Sequence, residues 1–319
     1  MNTSSNSFWN DFRNKQWNID FMGKRNLMTA ISVVAIVFSF VSMATKGFNF
    51  GLDFTGGTLI EVRYGQVADL EKIRKQLEEA GYVHATVVSF GSATDVLVRL
   101  QQDNDPALGD KIVAVLHSDG SEVEKRRVDY VGPQVGEDLR DQGGIAMLLS
   151  LAIMMIYVSM RFQSKFSIGA IAATLHDIII TLGCFSFFQW SFDLNALAAV
   201  LTILGYSLND TIVIGDRIRE NFRKLRSGSA TEIINISLNE TLGRTIITSG
   251  VTLLSVLGLY FFGGELLRGF SLALIIGIVV GTFSSIYVAA NVLVILKLTK
   301  EDMIVIQREK GAAYDDGMP

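Results

Sequence analysis

The residues best equipped to do chemistry sit where water is scarcest. Asp210, preceded by Asn209, lies in the apolar string GYSLNDTIVIGDRIREN (205–221), about six residues before the charged cluster that opens at Asp216. At 1.5 Å of helical rise per residue, that is roughly 9 Å below an interface. A carboxylate at such depth in hydrocarbon is costly, and its presence points to ion or proton handling. Arg244, in TLGRTIITSG (241–250), approaches from the same basic side on the next apolar stretch. An opposite charge a few ångströms away favours the ionised carboxylate, and neutralisation removes that attraction. Two arrangements are therefore open: a reversible Asp210/Arg244 pair, or an Arg244 that snorkels to the interface while Ser207 or Asn209 bonds Asp210. Asp210, Arg244 and Asn209 are the ion-coupling candidates, with Ser207, Thr248, one turn past Arg244, and Asp177, in an earlier apolar stretch, as secondary ones.

No catalytic residue, cofactor or metal site is expected. His84 and His117 lack the Cys, His or carboxylate spacing of metal sites and read as solvated surface residues. Asp177 and Asp210 are two carboxylates that could share a proton, as in an intramembrane aspartyl protease. Their contexts, His176-Asp177 and Asn209-Asp210, lack the Tyr-Asp and Gly-x-Gly-Asp pairing of such enzymes.

Composition shows what must position these groups. Of 319 residues, 49% are hydrophobic and 19% charged, against roughly 25% charged in an average soluble domain. An ordinary soluble enzyme is a poor fit. The 3 Pro and the dispersed 29 Gly exclude collagen-like and Pro/Gly-rich disordered chains. A net charge of −4 without a long basic run argues against nucleic acid as a partner. Spanning a bilayer takes about 20 helical residues. Six stretches qualify, at 27–45, 143–160, 166–188, 194–215, 245–262 and 270–296. The last is long enough to tilt or bend. Trp190, between the third and fourth, suits a headgroup position.

Arg and Lys flank the spans on one side: Arg13, Lys15, Lys24 and Arg25 before the first, Arg161 and Lys165 after the second, a group from Arg217 to Arg244, and Lys297 onward after the sixth. The short links on the other side carry Arg268 alone. The positive-inside rule then places both termini in the cytoplasm. The long polar leader and long apolar run make signal cleavage at Ser42-Met43-Ala44 an unfavoured reading. The expected organisation is a cytoplasmic segment 1–26, a first span 27–45, an external α+β domain 46–141, five more spans within 142–296 with a cytoplasmic loop 216–243, and a cytoplasmic tail 297–319. Ser229 to Glu232 reads as a capping box opening an amphipathic helix with Ile233, Ile236 and Leu238.

Within 46–141 the periodicity alternates between strand and helix. Thr58 to Tyr64 alternates as a half-buried strand, Val67 to Ala80 repeats Leu70, Ile73 and Leu77 at helical spacing, and Tyr82 to Phe90 with Thr94 to Gln101 forms a hairpin around Gly91-Ser92-Ala93. Asp105-Pro106 opens a second helix buried through Ile112, Val113 and Leu116, and Glu122 to Val131 is a last strand. The order βαββαβ is that of a ferredoxin-like sandwich. The fold class is thus an α-helical polytopic membrane protein of six transmembrane helices with one such external domain.

Two glycine-rich strings flank that domain. FNFGLDFTGGT (48–58) holds Asp53 among Gly51, Gly56 and Gly57, and VGPQVGEDL (131–139) holds Gly132 and Pro133. Neither has the spacing and Lys of a phosphate-binding loop. Both suit turns or close backbone approach. With GYSLNDTIVIGDRIREN, NETLGRTIITSG and VGTFSSIYVA (280–289), they resemble the SecF branch of the SecD/SecF family, relatives of the RND transporters, over nearly the whole chain.

That resemblance implies a bacterial inner-membrane subunit that works with SecD beside the SecYEG channel. SecA would be an indirect partner, YajC an additional one, and exported polypeptide and membrane lipid its other contacts. It implies that an inward H+ or Na+ flow moves the external domains and helps to draw exported polypeptide through. Asp210 and Arg244 match the family's intramembrane Asp and Arg. Gly243, Gly250-Val251 and Ala290-Asn291 depart from the family's usual Ser, Leu-Thr and Pro, which bears on ion choice and hinges. The rival readings are an RND-type small-molecule exporter subunit and a passive translocon scaffold. Small residues at Gly169, Gly183, Gly205, Gly250, Gly258, Gly277 and Gly281 are candidate helix contacts.

Overall fold

Apolar length decides the architecture. The computed structural model describes residues 18–83, 85–90, 92–100, 105, 107–225, 227–299 and 301–303. Residues 1–17, His84, Gly91, Gln101, Pro106, Arg226, Lys300 and the tail from 304, on which some sequence expectations fall, lie outside them. In chain order the elements are α1 (Arg25–Lys46), β1 (Asn49–Phe50), α2 (Leu52–Thr55), β2 (Gly57–Tyr64), α3 (Leu70–Glu79), β3 (Thr86–Phe90), β4 (Ser92–Leu100), α4 (Leu108–His117), β5 (Val123–Val131), α5 (Pro133–Arg161), α6 (Ser164–Phe188), β6 (Ser191–Phe192), α7 (Leu194–Lys224), α8 (Ala230–Phe262), α9 (Arg268–Ser284), a π turn (Ser285–Ala289) and α10 (Ala290–Ile295). Among the described residues, six helices are long and apolar enough to cross a membrane: the run Met22–Lys46 that contains α1, then α5, α6, α7, α8 and the continuous run Arg268–Ile295.

The ferredoxin-like domain is present as expected. Its sheet has the order β3-β4-β2-β5, antiparallel throughout, with Ile60 opposite Val98 and Val128, and Val87 opposite Val98. One face buries Ile60, Val62, Val87, Val96 and Val98 against Ile73 and Leu77 of α3 and Ile112 and Leu116 of α4. Val113 is only half-buried.

Local hydrogen bonding trims several boundaries. Asp69 accepts from the Glu71 and Lys72 amides, so α3 starts at Leu70 and Val67 is left exposed. Gly81, at φ +93°, ends that helix with Tyr82 N–H bonded to Leu77 O, so β3 starts only at Thr86. His117 is exposed, with Nδ1 2.7 Å from Ser121 O.

Arg63 and Asp95 face each other across β2 and β4 in a bidentate pair at 2.5 and 2.9 Å. That bond, helped by Ser92, holds the Asp95 carboxyl below the usual carboxylate range. A carboxyl depressed by folding contributes stability above its unfolded pKa of about 3.9, and the contribution is lost as pH falls through the lower folded value. Asp95→Asn is therefore expected to speed amide hydrogen exchange along β4 at pH 7, and the difference from wild type should shrink progressively below about pH 4. A difference independent of pH would assign Asp95 a purely geometric role.

In the membrane bundle the helices outrun the apolar stretches. Helix α5 begins at Pro133, where proline at the first position forfeits no helical hydrogen bond. Helices α7 and α8 continue through most of 216–243 because Ile218, Phe222, Ile233, Ile234 and Leu238 keep a buried stripe while the charged residues face outward. The Ser229/Glu232 capping box is formed, and the helix it opens is α8 itself. Ile236, expected on the buried face, is exposed.

Four of the seven glycines named as candidate contacts do meet a neighbouring helix. Gly169 packs on Ala289, Gly183 on Ser39, Gly277 on Ile203, and Gly281 on Ser207 and Asp177. Gly205, Gly250 and Gly258 have nothing within 4 Å where a Cβ would be, and this corrects their reading as contact points. The residues before α1 are strapped to α8. Asn239 accepts from Ile19 N–H at 2.8 Å and donates to Ile19 O at 2.9 Å, while Asn235 accepts from the Phe21 and Met22 amides.

Candidate functional site in the helix bundle

Asp210 and Asp177 come together in the bundle core, each with its own set of donors. Helical spacing places Ser207, Asp210, Thr211 and Ile214 on the buried stripe of α7, leaving Asn209 exposed. Asp210 is 8% exposed. Its Oδ1 accepts from Thr245 Oγ1 of α8 at 2.8 Å, and its Oδ2 accepts from Ser285 Oγ of the π turn at 3.0 Å. One carboxylate thus joins three helices.

Arg244 is adjacent in sequence to Thr245 but lies on the exposed face of α8. Among the described residues no ion pair joins it to Asp210. The outward Arg244 is the second arrangement weighed from the sequence, with different donors: neither Ser207 nor Asn209 bonds Asp210. The hydroxyls in place are Thr245 and Ser285, which sequence reasoning did not single out. Their signal was available as hydroxyl residues inside apolar helices, where every such group must find a partner. Thr248 is exposed and donates to Arg244 O at 3.0 Å.

Asp177, on α6, is fully buried. Its Oδ2 accepts from Ser207 Oγ and, at 2.8 Å, from Ser284 Oγ, while Oδ1 lies 2.9 Å from His176 Nδ1. Ser207, expected near Asp210, instead serves the other carboxylate. Ser284 and Ser285 are consecutive where α9 passes into the π turn, and each bonds a different Asp. π turns of this kind cluster at functional sites because the extra residue re-aims side chains. The sixth span, expected to tilt or bend, carries this π turn within the continuous run Arg268–Ile295.

The glycine-rich strings form the outer junction of the same helices. Asn49 and Phe50 pair in parallel with Ser191 and Phe192, just before α7. Asp53 Oδ2 accepts from Leu194 N–H at 3.1 Å and Asp193 Oδ1 from Ala196 N–H at 2.8 Å, so two carboxylates cap the helix that carries Asp210. Gly51 lies so close that a Cβ there would meet Asp193 Cβ at 2.9 Å. Gly56, at φ +71°, would meet Pro133 Cα at 2.8 Å, and Gly136 would meet Gly56 N at 2.8 Å. Gly57 pairs with Val131, and Gly132 is the extended residue before Pro133 at the start of α5. The external domain adds Arg99, whose guanidinium is 3.4 Å from Ser191 Oγ. Phe54 stacks on Phe192, Phe185 packs edge-on to both Phe192 and Trp190, and Trp190 stacks on Phe188.

Six candidate spans, a ferredoxin-like domain after the first and polar groups held inside the bundle define a polytopic membrane protein whose soluble domain is clamped to its helices. The family model for the C-terminal part of the protein export membrane proteins SecD/SecF matches residues 111–299, and the SecD/SecF GG motif matches residues 41–66. The chain belongs to the SecD/SecF family. It is 56% identical over 288 residues to the protein translocase subunit SecF of Pseudomonas aeruginosa, covering 90% of this chain and 94% of that one. It is 49% identical to SecF of Vibrio alginolyticus, covering 94% and 97% respectively. The crystal structure of SecDF, a translocon-associated membrane protein from Thermus thermophilus, superposes with a TM-score of 0.79 at 37% identity, covering 89% of this chain and 39% of that chain.

Proposed function

We propose that this chain is the SecF-type subunit of the Sec accessory complex and that, with SecD, it couples an ion gradient across the bacterial inner membrane to protein export. The observation that carries the coupling is the buried Asp210 bridging α7, α8 and the π turn. As a carboxylate it accepts two charge-assisted hydrogen bonds, roughly twice as strong as neutral ones. Uptake of a proton weakens both, and Na+ would compete for the same oxygens. Helices α8 and α9 then lose their polar tether to α7. The other end of α7 is held by Asp53 and Asp193 and reaches the external domain through β1, β6 and Arg99, so repacking in the bundle is passed outward.

The driving force is about 2.3 kcal/mol per charge per 100 mV. The chain acts as a transport component, with the channel SecYEG as neighbour, SecA linked indirectly, YajC as an accompanying subunit and exported polypeptide as cargo. Both termini and the Arg217–Arg244 side face the cytoplasm, by the distribution of basic residues. Arg244 on the outer face of α8 is placed to act in trans on SecD or to approach Asp210 in another state.

The test is reconstitution with SecD in vesicles, with ion-dependent currents measured in H+ and in Na+ gradients. Current with one of the two ions is expected. No current with either, in vesicles that still bind the translocon, would leave only the scaffold reading.

A further inference from the structure

His176 is 2% exposed, stacks on Phe283 at 6.2 Å between ring centroids, and leaves its Nε2 without a hydrogen-bond partner. A buried unpartnered ring nitrogen is costly. The other ring nitrogen faces Asp177, whose remaining oxygen is already bound by Ser207 and Ser284. The carboxylate therefore fixes the Nδ1–H tautomer and leaves Nε2 as a free lone pair. A second buried orphan occupies the matching register position on α1. Ser39 packs on Gly183 and Ser42 bonds Ser186, so α1 and α6 run parallel in matched register. Seven residues earlier on each helix are Ser32 and His176, and Ser32 Oγ is likewise buried and unpartnered.

We infer that the His176–Asp177 dyad is a second proton-holding site, in the seam between α1, α6 and α9, and that its charge state is linked to that of Asp210 through the Ser284-Ser285 step. In the transfer a proton bonds to the Nε2 lone pair of His176, the ring becomes an imidazolium that keeps its Nδ1–H on Asp177, and no other bond changes. The Asp177 carboxylate faces the cation across Nδ1–H, and Ser32, at the matching position of α1, offers a hydroxyl oxygen to the new N–H. Among the described residues, the titratable and charged groups facing the ring from the elements packed around it are Asp177 on α6, Asp210 on α7 one turn beyond Ser207 and Tyr287 on the π turn beyond Phe283, with the exposed Arg244 further out on α8; α1 carries no charged residue between Arg25 and Lys46. A proton at Asp210 weakens the hold on Ser285. The adjacent Ser284 shares that backbone turn, so the change reaches Asp177 and the imidazolium it supports. The inference extends the coupling reading above but is read at the ring itself, whether or not export depends on an ion gradient.

The chain has three histidines, and two of them, His84 and His117, lie in the external domain. In a His84→Gln, His117→Gln background of the full chain in lipid bilayers, 15N-histidine solid-state NMR reports His176 alone. The expected result is a neutral Nδ1–H ring whose 15N signals give way to those of the imidazolium on acidification. With Asp210→Asn added, the imidazolium fraction at a given pH should be smaller, because a negative charge that favoured the cation is gone. Ser284→Ala should shrink that Asp210-dependent difference, since it cuts the step joining the two sites. A ring that keeps one neutral form on acidification, or an imidazolium fraction unmoved by Asp210→Asn, would overturn the inference. Wild-type export that is independent of any ion gradient, with the His176 protonation change intact, would instead speak against the coupling reading alone.

Discussion

Asp210→Asn is expected to reduce gradient-stimulated export at least tenfold while the chain still inserts and assembles. Asparagine has nearly the shape of aspartate, and its neutral amide finds acceptable partners in the site. Its oxygen can accept from Thr245 Oγ1, and its NH2 can donate to Ser285 Oγ, which itself reaches Thr282 O at 3.1 Å. The variant therefore resembles one protonation state and cannot leave it. A side chain that cannot change charge draws nothing from a membrane potential worth about 2.3 kcal/mol per charge per 100 mV. A tenfold loss corresponds to about 1.4 kcal/mol, well inside that range. The measurement is export of a model preprotein into inverted vesicles with and without an uncoupler. Wild type should lose rate when the gradient collapses, and the variant should already sit at the collapsed rate. Uncoupler-sensitive export by the variant at the wild-type level would remove Asp210 from the coupling role. Thr245→Val and Ser285→Ala, which each delete one donor and keep the titratable group, should give intermediate losses.

Much of this arrangement was legible in the chain, and the rest was hidden for identifiable reasons. The six spans follow from hydropathy because lipid leaves the backbone one solution, and the domain's βαββαβ order follows from clear switches between period 2 and period 3.6. The Ser229 capping box was readable for a similar reason, its partners being three residues apart. The contacts that organise the bundle are long-range. Thr245 reaches Asp210, Ser285 reaches the same carboxylate from the sixth span, and Asn239 grips Ile19 from the far end of the chain. A single sequence shows that such hydroxyls and amides exist but not which partner each one finds.

Arg244 illustrates the same limit. The eye pairs opposite charges, yet its neighbour Thr245 points one helical step around and takes the inward position. The extended ends of α7 and α8 were obscured by their charged residues. Burial there is set by the apolar stripe of Ile218, Phe222, Ile233 and Ile234, not by average composition.

Gly56→Ala should be the most damaging of the small substitutions at the outer junction, and Gly47→Ala supplies its control. Both glycines combine a positive φ with an extended ψ, φ +71° and ψ 172° at Gly56 and φ +66° and ψ −158° at Gly47, a region that is essentially glycine's alone. Adding a Cβ there costs about 1–3 kcal/mol from backbone sterics alone. At Gly47 nothing lies within 4 Å of the added atom, so that cost is the whole effect. At Gly56 the new methyl would stand 2.8 Å from Pro133 Cα and 2.9 Å from Pro133 N, which are backbone atoms at the start of α5. Such a contact yields only by moving the helix or the strand, an overpacking cost of about 1–3 kcal/mol more. The two terms together predict a loss of roughly 4 kcal/mol at the β2–α5 junction, against about 2 kcal/mol for Gly47→Ala. Hydrogen exchange of the Gly57 and Val131 amides in the full chain would read it locally, and vesicle export would read its consequence. Because Gly56 touches neither buried carboxylate, a fall in gradient-driven export with an unchanged His176 titration would locate the defect in transmission. Equal effects of the two alanines would mean that the junction gives way freely, and a junction that gives way could not carry repacking of α7 to the external sheet.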